Sequence, residues 1–319
     1  MTIIKNKLFR IKPWITWIED LILVCIIFFT FYLMIPIHTT KTLFVPKGSI
    51  VSIISQLNKK GYELSTIDKY ILQYLGVPKT GWISIGKKEL NRIDFLYKLT
   101  NSKAMIHKIT LIPGETLALF FQDISSKLDL NQTKLHMHYS EFSDYKEAGI
   151  FSDTYHVPHG IKEKNLIQFL IRVSNTRYKK LAKKAYGDYN KAEWRKVLII
   201  ASIIQKEAAN RKEMPLVSSV IYNRLKKKMR LQMDGTLNYG KYSHTKVTTQ
   251  RIRNDLSSFN TYKHRGLPQS PIGSVSSASI NAAIHPAKTN YLYFMKNKSG
   301  VHDFTNTFKK HRKNILKSR

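Results

Sequence analysis

The longest continuous apolar segment of the chain lies near its amino terminus. From Leu21 to Ile37 it reads LILVCIIFFTFYLMIPI, with no charged residue. This length is about the shortest that crosses a bilayer as a helix. Its aromatic side chains fall on every face instead of along one packing stripe, which favours lipid contact over burial in a soluble core. The pattern predicts a transmembrane anchor over residues 21–37.

Residues around this segment indicate its orientation. Four basic residues precede it: Lys5, Lys7, Arg10 and Lys12. By the positive-inside rule, residues 1–20 stay in the cytoplasm and the chain after His38 is exported. A cleaved signal peptide is the alternative. Trp14 and Trp17 suit an interfacial anchor and no small-x-small cleavage site follows, so a retained anchor is favoured.

Beyond the anchor, residues 41–104 predict a small α+β unit. TLFVP at residues 42–46 and GWISIG at residues 81–86 read as strands, and apolar residues recur at helical spacing over residues 50–57 and 67–74. This strand, helix, helix, strand order, with its V-P-x-G-x-x-x-x-I-I opening, resembles a LysM-like module, a small fold that holds glycan chains. An ordinary α+β spacer is the alternative.

Residues 105–319 mix short strands with amphipathic helices, so we expect a second, mixed α+β domain. His107–Pro113 reads as a strand, and a helix follows Gly114. Polar residues at 128–134 suggest a surface loop. Near the carboxyl end, a strand around residues 291–295 precedes a Ser299-Gly300 turn and a basic final helix. His302 and Asp303 follow that turn and are expected on a surface strand pair.

One predicted helix carries an acid on its apolar stripe. Asn190 can cap a helix over residues 191–208. Four apolar residues share one face of it with Glu207: Val197, Ile200, Ile203 and Ile204. Burial favours the neutral form of a carboxyl group, so the pKa of Glu207 should rise toward the range useful for proton donation. A surface ion pair with Arg211 is the alternative.

The next helix and the segment after it add polar groups. A helix is predicted from about Glu213, with Pro215 in its first turn and Asn223 and Arg224 near its end. Residues 231–240, LQMDGTLNYG, then combine amide, carboxylate, hydroxyl and phenol groups around glycines. Such groups suit sugar hydroxyls and N-acetyl groups. A turn-rich connection is the alternative.

Composition changes this picture in two ways. The 53 Lys and Arg residues against 21 Asp and Glu give a net charge of +32, which attracts polyanions such as nucleic acid, anionic lipid or an anionic cell wall. A membrane-tethered nucleic-acid binder is therefore one rival hypothesis, which the predicted export disfavours. The single cysteine, Cys25, lies within the apolar segment, which excludes an intrachain disulfide or a thiolate metal cluster.

Ordered motifs then point to one family. They are A-S-I-I-Q-K-E-A, V-I-Y-N-R-L, R-L-Q-M-D-G-T-L-N-Y-G, F-N-T-Y-K-H-R-G-L-P-Q-S-P-I and H-P-A-K-T-N-Y-L-Y-F, with E-A-G-I-F-S-D-T-Y upstream. In this order they resemble the MltG (YceG-like) endolytic murein transglycosylases. The resemblance is densest from Ala201 to Phe294. It implies a YceG-like catalytic domain over residues 105–319.

The resemblance also implies which residues form the site. Glu207 takes the place of the family's catalytic glutamate, and Glu213 matches a second family acid. Glu213 is also explained as a first-turn acid that interacts with the dipole of its helix. Further matching positions that could shape a glycan cleft are Asn223, Arg224, Gln232, Asp234, Tyr239, Asn260, Thr261 and Tyr262.

The sequence departs from the family pattern at several positions. Met233 and Gly235 stand where the family usually has threonine and proline, and Ala148 and Ser152 replace a glycine and a proline of the upstream element. P-G-E-T stands where P-E-G-x-T is expected. Each departure changes a local contact, but Glu207 is retained.

The resemblance implies lytic cleavage of the β-1,4 bond between N-acetylmuramic acid and N-acetylglucosamine, giving 1,6-anhydro ends and terminating nascent glycan strands. No metal or cofactor is expected. Expected partners are peptidoglycan glycan strands, the inner membrane and, as candidates, peptidoglycan synthases, with no nucleic acid. The catalytic domain would then be periplasmic on a single-pass inner-membrane protein. The alternative is a non-catalytic, membrane-tethered glycan-binding scaffold.

Overall fold

The computed structural model describes residues 13–318, which form two compact units. The first unit ends at Ile106 and the second begins at His107. The elements of the first unit are α1 (Pro13–Met34), β1 (Pro36–His38), β2 (Thr42–Val45), α2 (Ile50–Asn58), α3 (Thr66–Leu75), β3 (Gly81–Ser84), β4 (Glu89–Asn91) and α4 (Arg92–Asn101). The linking strand is β5 (Ile106–Thr110).

Helix α1 begins earlier and ends earlier than the predicted anchor. Its apolar part, Thr16–Met34, has a mean hydropathy of 2.0 and no buried residues, so it is long and apolar enough to span a membrane. The prediction that the anchor reaches Ile37 was wrong, because Pro36 cannot continue a helical hydrogen-bond ladder. Pro36 and Ile37 instead pair with β4. The four basic residues that were used to orient the anchor, at positions 5–12, lie outside the described residues.

Strands β2 and β3 form the centre of the first unit. They pair antiparallel, with Leu43 opposite Ile83, and both side chains are buried. Helices α2, α3 and α4 add further buried side chains to this core, among them Leu57, Leu72 and Phe95. The predicted strand, helix, helix, strand order is therefore present. The sequence pattern missed β1, β4 and α4, and the LysM-like assignment stays a prediction.

A buried ion pair of the first unit lies next to the end of α1. Arg92 Nη1 lies 2.6 Å from Asp68 Oδ2, and both side chains are almost fully buried. The Arg92 guanidinium also lies over the Tyr32 ring, 4.6 Å from its centroid, and the Tyr32 hydroxyl lies 2.6 Å from Ser65 Oγ. Tyr32 is on the last turn of α1, so that turn is fixed to the unit by side-chain contacts.

The second unit contains the remaining elements. These are α5 (Leu117–Leu128), α6 (Gln132–Phe142), β6 (Thr154–Pro158), α7 (Glu163–Tyr186), α8 (Lys191–Glu207), α9 (Met214–Lys226), α10 (Thr249–Asn254), α11 (Ser277–Ile284), β7 (Tyr293–Lys296), β8 (His302–Thr305) and α12 (Phe308–Ser318). Strand β5 pairs with β6. The predicted loop at residues 128–134 is shorter than expected, because Asn131 caps α6 and the helix starts at Gln132.

Helix α8 is the central element of the second unit. Asn190 caps it by accepting hydrogen bonds from the Ala192 and Glu193 amides, as expected. Every residue from Val197 to Ile204 is buried. It packs against α9 and α11 and, through Trp194, against Tyr178 of α7. Because this helix is surrounded by other elements, the position of its last residue, Glu207, is fixed by the core.

Candidate functional site

A cavity of about 240 Å³ lies at the carboxyl end of α8. Its walls come from α8, α9, the segment after α9, the loop after α10 and the β7–β8 hairpin. Its lining residues are Glu207, Arg224, Leu231, Gln232, Met233, Asp234, Tyr262, Phe294, Met295, Lys296 and His302. The structure therefore brings together five of the predicted site residues, which lie on α8, on α9, in the segment after α9 and in the loop after α10. Within residues 13–318, no group of three or more His, Cys, Asp or Glu side chains is arranged to hold a metal ion.

Glu207 is the last residue of α8, and its carboxyl group faces this cavity. Burial raises its pKa to about 7. The Gly235 amide opposes that rise by donating a hydrogen bond of 2.6 Å to Oε1. No ion pair joins Glu207 to Arg211 among the described residues. A carboxyl group with this pKa is present in both protonation states near neutral pH, as proton transfer in both directions requires.

Arg224 holds three parts of the cavity wall together. Its Nε donates to the Leu292 carbonyl at 2.6 Å, and its Nη1 donates to the Leu231 carbonyl at 2.6 Å and the Arg230 carbonyl at 3.3 Å. The guanidinium also lies 5.2 Å from the centroid of the Tyr293 ring. Its side chain is buried. Its positive charge lowers the pKa of Glu207 slightly.

Asp234 and Tyr262 form a hydrogen-bonded pair on the cavity rim. The Tyr262 hydroxyl donates to Asp234 Oδ1 at 2.6 Å, and burial together with this carboxylate raises the pKa of the Tyr262 hydroxyl. The charge of Asp234 raises the pKa of Glu207. Gln232 is exposed beside them and has a left-handed backbone, with φ of 48°. These polar groups are placed to contact a ligand in the cavity.

Four other predicted cleft residues do not line the cavity. Asn223 donates to the Thr289 and Tyr291 carbonyls, and Tyr239 donates to Asp255 and stacks on a phenylalanine ring. Asn260 donates to the Ile252 and Asp255 carbonyls. Thr261 Oγ1 accepts from the Met233 amide. These side chains hold the loops that carry the cavity residues, so the structure places them in supporting positions.

Glu213 and His302 contradict two expectations. Glu213 is the N-cap residue of α9, but its side chain makes no capping hydrogen bond. Its carboxylate instead contacts His302, with Oε2 2.7 Å from Nδ1 and Oε1 accepting from the His302 amide at 2.9 Å. The expectation that His302 is a surface residue was wrong, because its side chain is 10% exposed. The contact brings β8 against the start of α9, and His302 lines the cavity.

Comparison with known proteins agrees with the motifs. A sequence profile of the YceG-like family matches residues 43–317. The chain belongs to the YceG-like family. It is 30% identical over 311 residues to the endolytic murein transglycosylase of Bacillus subtilis (strain 168), across 86% of this chain and 84% of that protein. The family resemblance predicted from the motifs is therefore confirmed.

Two further relatives extend this comparison. The YceG-like chain is 34% identical over 104 residues to the endolytic murein transglycosylase of Streptococcus pneumoniae (strain D39), across 31% of this chain and 19% of that protein. A crystal structure of a YceG-like protein from Listeria monocytogenes matches with a TM-score of 0.58 and 25% identity, covering 86% of this chain and 99% of that chain. The shared architecture thus extends over most of this YceG-like chain.

Sequence reasoning did not identify several cavity residues of this YceG-like protein. They are Leu231, Met233, Phe294, Met295, Lys296 and His302. One available signal was the Ser299-Gly300 turn, which predicts a hairpin. In a hairpin, His302 lies opposite Lys296, as the structure confirms. The contact with Glu213 spans 89 residues of sequence, and no local pattern reports it.

A second buried acid lies outside the cavity of the YceG-like domain. Burial raises the pKa of Glu147 to about 8, while the Leu117 amide and the Lys206 charge oppose the rise and Glu115 adds to it. Glu147 Oε2 accepts from the Leu117 amide at 3.1 Å, at the start of α5. Glu147 belongs to the upstream family element, so this element positions α5.

We expect Glu147→Gln to stabilise the protein at pH 8. The unfolded carboxyl group ionises near its ordinary pKa, whereas the folded group keeps its proton up to about pH 8. Stability is therefore lost as the pH rises from about 4.5 to 8, and glutamine avoids that loss. The gain should be up to about 4 kcal/mol at pH 8 and near zero at pH 4. Urea unfolding at both pH values measures it, with the exposed Glu141→Gln as control. An equal gain at both pH values would contradict the assignment.

Proposed function

We propose that this protein is an endolytic murein transglycosylase that cleaves the β-1,4 bond between N-acetylmuramic acid and N-acetylglucosamine. The observation that carries the proposal is Glu207, whose pKa is raised to about 7 at the wall of a polar cavity. The names of the relatives from Bacillus subtilis and Streptococcus pneumoniae support the reaction class. A glycan-binding scaffold would have no need for an acid with this pKa.

Glu207 acts first as the acid. In its protonated form it donates to the oxygen that leaves from C1 of the muramyl residue, and the glycosidic bond breaks. The muramyl C6 hydroxyl then bonds to C1 and closes the 1,6-anhydro ring. The hydroxyl proton leaves to a base, for which the family resemblance assigns the Glu207 carboxylate. No water is consumed, so the site has to hold the sugar's own hydroxyl against C1.

Because Asp234 is present, the chemical nature of the products distinguishes a hydrolase from a lytic transglycosylase. It is a second carboxylate on the wall of the cavity, and glycoside hydrolases generally use two carboxylates. The hydrogen bond from Tyr262 occupies its Oδ1. We assign Asp234 to binding the distorted sugar and not to activating water. A hydrolase would release reducing muramyl ends, whereas the proposed reaction releases anhydro ends.

The test uses the full-length protein in detergent with intact peptidoglycan. The soluble and insoluble products are treated with borohydride, which reduces free reducing ends but leaves anhydro ends unchanged, and are then analysed by mass spectrometry. We expect anhydro-muramyl ends, including ends within long strands. Exclusively reducing ends would instead make the protein a hydrolase, and the absence of any new end would support the scaffold alternative.

We also propose that α1 anchors the protein in the inner membrane, with the residues before its apolar part in the cytoplasm and the catalytic unit in the periplasm. The exposed, apolar surface of α1 supports a membrane position. In that place the enzyme would cut nascent strands next to the synthases that make them, with the LysM-like unit holding glycan. Carboxyl-terminal reporter fusions test the orientation. A reporter that is active only in the cytoplasm would contradict it and revive the nucleic-acid-binding hypothesis.

Replacing Gly235 with proline should shift the pH dependence of the reaction. Proline has no amide hydrogen, so Gly235→Pro removes the hydrogen bond to Glu207 Oε1 that lowers the pKa of Glu207. The added Cβ would also lie 2.8 Å from Oε1, which excludes the present position of the carboxylate. Since the acid form is active, the rate falls as pH rises through this pKa. We expect that fall to move up by roughly one pH unit.

Rates of anhydro-end formation between pH 5 and 9 measure this shift. Gly240→Ala provides a control in the same segment, since an added Cβ there meets no neighbouring atom within 4 Å. Any effect of the control comes from its left-handed backbone and not from Glu207. A Gly235→Pro profile that coincides with the wild-type profile would mean that this hydrogen bond does not tune Glu207.

A further inference from the structure

Glu213 and His302 form a buried carboxylate–imidazole pair at the wall of the cavity. The Glu213 carboxylate accepts three hydrogen bonds: from His302 Nδ1 at 2.7 Å, from the His302 amide at 2.9 Å and from the Ala209 amide at 3.2 Å. Both side chains are about nine-tenths buried. Although burial acts in the opposite direction, these donors hold the pKa of Glu213 below its usual range. The pair is therefore a fixed unit with an ionised carboxylate.

This arrangement determines which imidazole nitrogen is available. An ionised carboxylate can only accept hydrogen bonds, so Nδ1 of His302 carries a hydrogen. In the neutral ring, Nε2 then has a free lone pair. No described residue hydrogen-bonds to Nε2, and His302 lines the cavity that also contains Glu207. Carboxylate contact at one nitrogen leaves the other suited to accept a proton.

Aromatic neighbours fix the plane of the ring. Phe294 meets His302 edge-on, with centroids 5.2 Å apart and planes at 87°, and Phe304 lies 6.3 Å away at 65°. The β7–β8 pairing sets the backbone position of all three residues. Because both the ring and the carboxylate are constrained, the lone pair of Nε2 is held in one direction. Such preorganisation is typical of a residue that acts on a bound group.

Glu207 starts the reaction in the opposite protonation state, as a proton donor and not as an acceptor. One oxygen of its carboxyl group is already engaged by the Gly235 amide, and the group has to carry a proton at the start of the reaction. A single residue that performs both proton transfers must give up its proton before it can accept one. A separate acceptor in the same cavity removes that constraint.

We propose that His302, held by Glu213, is the base of the reaction, while Glu207 is the acid. The inference rests on the proposed lytic function and changes one step of it. As the bond between C1 and the leaving oxygen breaks, that oxygen takes the proton of Glu207. As the muramyl C6 oxygen bonds to C1, its proton passes to His302 Nε2. The imidazolium, stabilised by the Glu213 carboxylate, then loses this proton to solvent, and Glu207 regains one from solvent.

The ratio of anhydro ends to reducing ends among the products tests this assignment. Without a base for the C6 hydroxyl, water competes for C1 and gives a reducing end. In the full-length protein in detergent, we expect His302→Phe to form anhydro ends at least about tenfold more slowly and to raise the share of reducing ends among the products. Glu213→Gln should shift the share in the same direction, since an amide can donate to Nδ1 and reverse the tautomer.

The controls separate a base from a structural contact. His138 and Glu141 form a similar pair on α6, with Nδ1 3.0 Å from Oε2, and His138→Phe and Glu141→Gln should leave the product ratio unchanged. Thermal unfolding identifies any variant that loses its fold. If His302→Phe unfolds, His302→Gln, which keeps a polar side chain, decides by the same ratio.

The outcomes are distinct from those of the proposed function. The role of His302 as base would be overturned by a folded His302 variant that keeps the wild-type ratio of anhydro to reducing ends. This includes a variant in which both kinds of end fall in parallel. A wild-type protein that forms no anhydro ends would overturn the proposed function itself. A Glu207→Gln variant forms neither kind of end if both proposals hold, since the leaving oxygen then has no proton donor.

Discussion

Replacing Glu207 with glutamine is expected to lower the rate of anhydro-end formation about a thousandfold, within the range that general acid catalysis contributes. Glutamine has the shape of glutamic acid, and its amide oxygen can still accept the hydrogen bond that the Gly235 amide donates at 2.6 Å. The cavity should therefore keep its form. What the variant lacks is a proton that can be transferred to the leaving oxygen.

The measurement is the initial rate of new anhydro-muramyl ends from intact peptidoglycan, with pelleting of the protein on peptidoglycan as a binding readout. Binding should be retained while the rate falls. Glu193→Gln, on the exposed first turn of the same helix, is the matched control and should cleave at the wild-type rate. A Glu207→Gln protein with more than a tenth of the wild-type rate would exclude Glu207 as the acid.

Replacing Arg224 with methionine should cause the largest loss of stability. Methionine fills much of the same volume but leaves the carbonyls of Arg230, Leu231 and Leu292 without the donor they now have. The bond to the Leu231 carbonyl is buried and the other two are partly buried. A fully buried acceptor that loses its partner costs about 1–3 kcal/mol, so the total should be about 3 kcal/mol. These carbonyls belong to segments that wall the cavity, so cleavage should fall together with stability.

Urea unfolding followed by circular dichroism gives the free-energy change. Lys226→Met is the control on the same helix, since Lys226 is exposed, and it should change the free energy of unfolding by less than about 0.5 kcal/mol. The cleavage rate of Arg224→Met is measured well below its unfolding midpoint. A folded variant with wild-type stability would show that the three carbonyls find other partners.

Local sequence patterns predicted the helices of the site well. The Asn190 cap and the apolar stripe from Val197 to Ile204 define α8, and Pro215 marks the start of α9. Both signals act within a few residues, where hydrogen-bond spacing and side-chain periodicity are set by the helix itself. The raised pKa of Glu207 followed from the same stripe. By contrast, the apolar run continues to Ile37, so apolarity alone did not show that the anchor helix ends before Pro36.

Long-range contacts could not be predicted in the same way. Asn260 and Thr261 were expected at the cleft because they match family positions, but their side chains contact neighbouring loops, mostly at backbone atoms. Polarity does not distinguish a side chain that holds a loop from one that contacts a ligand. His302 was expected on a surface strand pair, and its contact with Glu213, 89 residues away, leaves no mark in the local sequence. Only the packing of β8 against the start of α9 brings the two together.

The short junction between α1 and the rest of the first unit limits how far the rest of the unit can move from the membrane. A single residue, Ile35, separates the last residue of α1 from β1. The hydrogen bonds of Tyr32 with Arg92 and Ser65 further restrict movement at this junction. With α1 in a bilayer, no flexible linker would allow this unit to move through the thickness of the wall. The glycan that we propose for this unit would therefore be the layer next to the membrane, and layers farther out would lie beyond its reach.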